Sequence, residues 1–102
     1  MDIQQLKSLK VLVIGEACTD RYHVGTCDRL SPEFPVPVFK NKKSFDNPGM
    51  ASNVFAGFLN LGISADLVSQ QKPCLKERYI DEKTGYHLLR VDSFDEVEKL
   101  SD

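Results

Sequence analysis

A stretch of small and polar residues interrupted by one methionine, Asn47-Pro48-Gly49-Met50-Ala51-Ser52-Asn53, runs directly into an apolar segment, Val54 to Leu61, that stops at Gly62. No other part of the chain limits its folding as tightly. Asn47 suits a helix cap, Pro48 the first helical position and Gly62 the C-terminal stop. Val54, Phe55, Phe58, Leu59 and Leu61 cover more than one face of such a helix, which predicts a buried element. Its first turn carries small or polar side chains, so free backbone N–H groups there can meet a polar ligand. The remaining segments are expected to build around that helix.

Lys10-Val11-Leu12-Val13-Ile14-Gly15 is a continuous apolar run ending at a glycine. Such runs are typical of strands buried on both faces of a parallel or mixed sheet. Ligands of open α/β sheets bind beyond the carboxyl ends of these strands, where Glu16 and Asp20 fall. Ahead of it, Asp2 to Leu9 fits a short helix. Arg21 to Gly25 reads as a strand of mixed polarity, and Ser31-Pro32-Glu33-Phe34-Pro35 as loop, because prolines exclude a helix interior. Val36 to Lys40 resumes extended structure, with Pro37 marking an edge strand or strand start. After the helix, Ala65 to Ser69 gives a returning strand, completing a strand–helix–strand crossover. Leu75 to Asp81 and Tyr86 to Asp92 flank Glu82-Lys83-Thr84-Gly85 and predict a hairpin with one wet face. Asp95 to Leu100 is expected to add a helical turn capped by Ser93.

Bulk properties exclude several classes of function. With 102 residues the chain has room for one domain and one modest core. A net charge of −2 gives no electrostatic case for nucleic acid or an anionic membrane surface. No apolar run approaches the roughly 20 residues of a membrane span. The polar start, Met1 to Lys10, does not read as a signal peptide. Cys18, Cys27 and Cys74 are odd in number and form no CxxC pair, as expected of reduced thiols in a cytoplasmic protein.

Taken together, four ordered segments resemble a known family. Val11-Leu12-Val13-Ile14-Gly15-Glu16 with Asp20-Arg21-Tyr22 resembles the first strand and substrate loop of ribokinase-like carbohydrate kinases. Arg29-Leu30-Ser31-Pro32-Glu33-Phe34-Pro35-Val36-Pro37-Val38 is similar to a loop of the heptose 7-phosphate kinases of bacterial lipopolysaccharide precursor synthesis. Pro48-Gly49-Met50-Ala51-Ser52-Asn53 resembles their glycine-rich helix start, and Arg78 with Leu88-Leu89-Arg90-Val91-Asp92 resembles paired strands of their lid. The resemblance implies an α/β fold: part of a ribokinase-like domain, with a small mixed sheet, one main helix and a β-strand lid. Residues 1–102 then form a single substrate-and-lid unit, with lid strands near 20–25, 36–43 and 76–92.

The same resemblance implies site residues. An acidic residue at Asp20 binds sugar hydroxyls, and a carboxylate accepts two hydroxyl hydrogen bonds at once. Gly49 lets backbone approach the sugar, while Asn53 offers both a donor and an acceptor. Arg29 suits a sugar phosphate because guanidinium grips phosphate oxygens with two bonds. Each has a plainer reading. Asp20 can cap a turn, Arg29 can be an ordinary surface arginine, and Asn53 in a buried helix needs partners regardless of any ligand. His23 reads as a lid side chain, and Lys40, Lys42 and Lys43 as a solvated strand end that discourages edge pairing. Glu16 stands where these kinases usually carry aspartate.

Three departures define what to expect of activity. The family's Gly-Ala-Gly-Asp type motif, which supplies the proton acceptor and anion hole, has no counterpart here; Gly85 is the only glycine after Gly62. Only Gln70 to Glu77 separate the returning strand from the lid strand at Arg78, where the family has a further helix and strand. Met50 replaces a second glycine. The expectation is therefore a sugar or sugar-phosphate binding unit without catalytic or metal-binding residues. ATP and magnesium enter only if a second chain supplies the missing half. The alternatives are a structural or oligomerising module that pairs lid strands with another copy, and a decayed remnant with no ligand.

Overall fold

A computed structural model of the chain, described over residues 2–94, contains two helices and six strands. In chain order these are α1 (Ile3–Lys7), β1 (Lys10–Ile14), β2 (Ala17–Leu30), β3 (Pro37–Met50), α2 (Ala51–Asn60), β4 (Ser64–Val68), β5 (Cys74–Asp81) and β6 (His87–Ser93). Strands β1 and β4 pair in parallel, Val11 opposite Ala65 and Val13 opposite Leu67, with α2 lying between them in the chain. The other four strands form a mixed sheet in the order β3-β2-β5-β6. In it, β2 runs antiparallel to β3 and parallel to β5, and β5 runs antiparallel to β6. The architecture is α/β, as expected, but the mixed sheet is the larger, separate one and the base sheet has only two strands.

Local chemistry accounts for the element ends. Asp2 and Gln5 cap α1 reciprocally, each backbone N–H donating to the other side chain at 2.9 Å. Gly62 stops α2 at φ +78°, and Gly85 turns the β5–β6 hairpin at φ +75°, conformations that glycine adopts without steric cost. Asp81 holds that turn by accepting from the Thr84 N–H at 3.0 Å and its hydroxyl at 2.7 Å. Between β4 and β5, the Gln70 amide imitates a strand neighbour. Its Oε1 accepts the Ala17 N–H and its Nε2 donates to the Ala17 carbonyl, both at 2.8 Å.

Three expectations are corrected. Helix α2 begins at Ala51, not at an Asn47 cap, because Asn47 and Pro48 are used by β3 opposite Asp20 and Thr19. Pro48 is tolerated there because β3 is an edge strand. The N-cap position falls to Met50, which makes no side-chain cap; Ala51 N–H instead donates to the Glu16 carbonyl at 2.9 Å. Second, α2 is not buried: Val54 is 51% and Leu61 64% exposed. Third, β1 alternates between half-buried and exposed positions instead of being covered on both faces. Both corrections have one cause. Among the described residues nothing packs over that side of the two-stranded sheet or over the outer face of α2.

Ala17, Cys18 and Cys74 are buried where the two sheets meet, and Ile63 is buried just ahead of β4. The result is a plate of 60 × 32 × 15 Å with a radius of gyration of 18.5 Å. A compact domain of this length would give about 13 Å. Ser93 ends β6 opposite Leu75, and the helical turn expected at Asp95 to Leu100 lies outside the described residues.

Candidate functional site

Side chains alternate across a strand, and the register of β2 puts Asp20 on the same sheet face as its partners Asn47 on β3 and Lys76 on β5. Cys18, one step back on that face, pairs with Gly49 on one side and Cys74 on the other. Asp20 therefore leans over Gly49. A Cβ on Gly49 would come within 2.7 Å of Asp20 Oδ2 and 3.0 Å of its Cγ, so this position admits no side chain without displacing the carboxylate.

Asp20 also meets a cation. Arg78 Nη1 is 3.1 Å from Asp20 Oδ1, with both side chains largely shielded. The approach is poorly aligned, and Nη1 is buried without a hydrogen-bond acceptor among the described residues. An N–H left in that state is an exception among native polar groups, nearly all of which are satisfied. The guanidinium lies over the Tyr22 ring, 5.4 Å from its centroid, and Tyr22 in turn stacks on Phe45 at 5.1 Å. Farther along this face, Arg90 and Asp92 form a two-bond pair at 2.7 and 2.9 Å, with the Arg90 hydrogen bonds holding the Asp92 carboxyl below its usual range. Beneath Asp20, burial and the neighbouring Cys74 thiol push Cys18 up to about 12, so it stays a protonated thiol at neutral pH.

Asn53 occupies the first turn of α2 and is exposed. Because Ala51 is tied to Glu16, that turn stands at the same end of the β2–β3 pair as Asp20 and Gly49. Arg29 does not join them. It sits near the far end of β2 opposite Val38, about 30 Å away along an extended strand. There it lines a groove of about 720 Å³ together with Asp28, Lys40, Lys42, Lys83 and Glu82. Among the described residues, no group of three or more His, Cys, Asp or Glu side chains is placed to hold a metal ion, and no helix is long and apolar enough to cross a membrane.

Comparison with known proteins adds what local geometry leaves open. The chain is 36% identical over 103 residues to Bifunctional protein HldE of Alcanivorax borkumensis, an alignment covering 96% of this chain. It is 43% identical over 67 residues to the protein of the same name from Chromohalobacter salexigens, covering 66% of this chain. A carbohydrate kinase from Agrobacterium tumefaciens superposes on 84% of the chain with a TM-score of 0.51 at 11% identity, a likeness of fold. The chain resembles the ribokinase-like carbohydrate kinases, matching part of HldE along nearly its whole length and sharing the fold of the Agrobacterium kinase. It spans 22% and 14% of the two HldE proteins and 36% of the Agrobacterium kinase. No protein-family model matches it.

The residue at this site that sequence reasoning alone does not single out is Arg78. The segment resemblance marked it as part of a strand, with no role. Its role depends on β2 and β5 running parallel in one register, so that Arg78 falls diagonally across from Asp20. Alternating Lys76 and Arg78 were the visible signal, and only a partner strand gives that alternation a meaning.

Proposed function

We propose that this chain is the sugar-contacting portion of a ribokinase-like carbohydrate kinase, with Asp20, Gly49 and Asn53 as the contacts and a sugar phosphate, of the heptose phosphate class, as ligand. One observation carries the reading. A carboxylate rests against bare glycine backbone at Gly49 and is flanked by the Arg78 guanidinium, 3.1 Å away. Sugar hydroxyls would donate to the Asp20 carboxylate. The four-stranded sheet then serves as a lid that excludes water from the sugar.

The glycine-aspartate motif that would hold the transferring phosphoryl does not occur within residues 1–102. Where ATP and magnesium take part, a complementary half has to hold them.

Thermal unfolding with sedoheptulose 7-phosphate or glucose 6-phosphate tests the reading. Ligand that binds only the folded state raises Tm with concentration. The gain should vanish in Asp20→Ala and should not appear with inorganic phosphate alone. Equal gains with inorganic phosphate would assign the binding to nonspecific anion effects.

A second reading rests on a separate observation. Val36, Pro37, Phe39, Tyr79, Leu88 and Leu89 line an apolar groove of about 610 Å³ on the four-stranded sheet, and Leu89 is 59% exposed. With β3 and β6 as open edges, this sheet suits pairing with a second copy. Sedimentation velocity across a concentration series tests it, and a concentration-independent monomer contradicts it.

A further inference from the structure

The opposite face of the four-stranded sheet carries a second chemical arrangement, which the sugar site does not use. Arg21, His23 and Glu77 alternate with Asp20, Tyr22 and Arg78 along β2 and β5 and so occupy that other face. His23 is partnered at both ring nitrogens: Nδ1 is 2.7 Å from Ser44 Oγ, and Nε2 is 2.7 Å from Glu77 Oε2. The ring is 14% exposed and stacks on Tyr79 with centroids 4.7 Å apart, which fixes its plane. Ser44, by contrast, is exposed to solvent.

The fourth member sets the proton positions. Asn41 Nδ2 donates to Ser44 Oγ at 2.9 Å. With that lone pair occupied, the Ser44 hydroxyl proton is free to point at Nδ1, and in the neutral ring the Nε2 proton goes to Glu77. The Ser44 hydroxyl and the ring N–H then each meet an acceptor. Nucleophile, base and orienting carboxylate thus stand in hydrogen-bond sequence, the geometric criterion for an activated serine. Asn41 Nδ2, 2.9 Å from Oγ, is near enough to turn to the oxygen of a carbonyl attacked there.

We propose that Ser44, His23, Asn41 and Glu77 form an acyl-transfer site for small activated esters, independent of the sugar-kinase reading. Ser44 Oγ attacks the ester carbonyl carbon while its proton passes to His23 Nδ1. The carbonyl oxygen becomes the oxyanion held by Asn41 Nδ2. Collapse breaks the bond to the leaving oxygen, which takes the proton back from His23, leaving an acyl ester on Ser44 and free alcohol or phenol. Water, deprotonated by His23, then releases the carboxylic acid. Glu77 is a positioning residue: it holds the ring in the tautomer that leaves Nδ1 free to accept. The site lies on an open sheet face, so it takes unhindered esters with good leaving groups.

The probe is 4-nitrophenyl acetate with the full chain, followed by nitrophenolate release and by peptide mass mapping. The structure predicts one acetyl group on Ser44 and a release rate that falls about a hundredfold in Ser44→Ala and His23→Gln. Glu77→Gln should slow acetylation without changing the ester concentration that half-saturates it, and Glu77→Asp should recover part of the loss. If His23→Gln fails to fold, the exposed positions decide: Ser44→Ala and Asn41→Ala should each slow release with unchanged circular dichroism. Acetyl found only on lysines or cysteines, or Ser44 acetylation unaffected by Asn41→Ala and Glu77→Gln, would overturn the proposal.

Discussion

Asp20 and Gly49 are locked together across the β2–β3 pair, the carboxylate resting where a Gly49 side chain would have to be. Gly49→Ala should therefore cost about 1–3 kcal/mol, as overpacking at a fitted contact does. In a domain of this size that lowers Tm by roughly 4–8 °C per kcal/mol. Removing the obstruction should rescue it: Asp20→Ala in the Gly49→Ala background should lose less than the two single losses combined. Additive losses would mean that the contact is absent in solution.

Met50 predicts a change in the opposite direction. It adopts φ 52° and ψ −130° at the entrance to α2, a conformation that disfavours any side chain. Strain of this kind costs on the order of 1–3 kcal/mol, against which glycine's extra unfolded-state freedom takes back about 0.5–1. Met50→Gly should be net stabilising, seen as a higher Tm. A lower Tm would contradict the strained entry.

Thiol reactivity separates the cysteines. Cys18 is 1% exposed and its burial pushes it up to about 12, whereas Cys27 is only half-buried. Iodoacetamide at neutral pH should modify Cys27 first and Cys18 only on unfolding, because the thiolate is the reactive form. Peptide mapping after brief labelling reads the order directly.

Acid should loosen the four-stranded sheet. Asp46 is held below its usual range by the Arg21 hydrogen bonds, and Asp92 by those of Arg90. A carboxyl with a lowered folded value contributes stability above its unfolded value, about pH 4, and loses it as pH falls through the lowered one. Tm should drop as pH goes below about 4, less steeply in Asp46→Asn. Both pairs are exposed, so the effect should be small and should shrink in high salt.

Much of this arrangement was legible in the residues, and the failures have a common origin. The β5–β6 hairpin, the α2 stop at Gly62 and the extended segments around Arg21 and Val38 follow from local signals that tertiary contacts leave unopposed. Helix α2 was placed too early because Asn47 and Pro48 carry good capping chemistry. Strand pairing with Asp20 and Thr19 outweighs it. Apolar content in β1 and α2 predicts a burial that does not occur, because burial needs a covering layer and the described residues supply none. At the site, the pairing of β2 with β3 brings together Asp20 and Gly49, two positions that only the family resemblance singles out. Arg29 was grouped with them on residue type, and the length of β2 separates them. Arg78 and the His23–Ser44–Glu77 chain depend on registers between distant strands, which no local pattern encodes.

If Asp20, Gly49 and Asn53 contact one sugar, a backbone-amide NMR titration with sedoheptulose 7-phosphate will shift Asp20, Gly49, Asn53 and Arg78, and those shifts will disappear in Asp20→Ala. Shifts confined to the groove of Arg29, Lys40 and Lys83, or none at millimolar ligand, would contradict it.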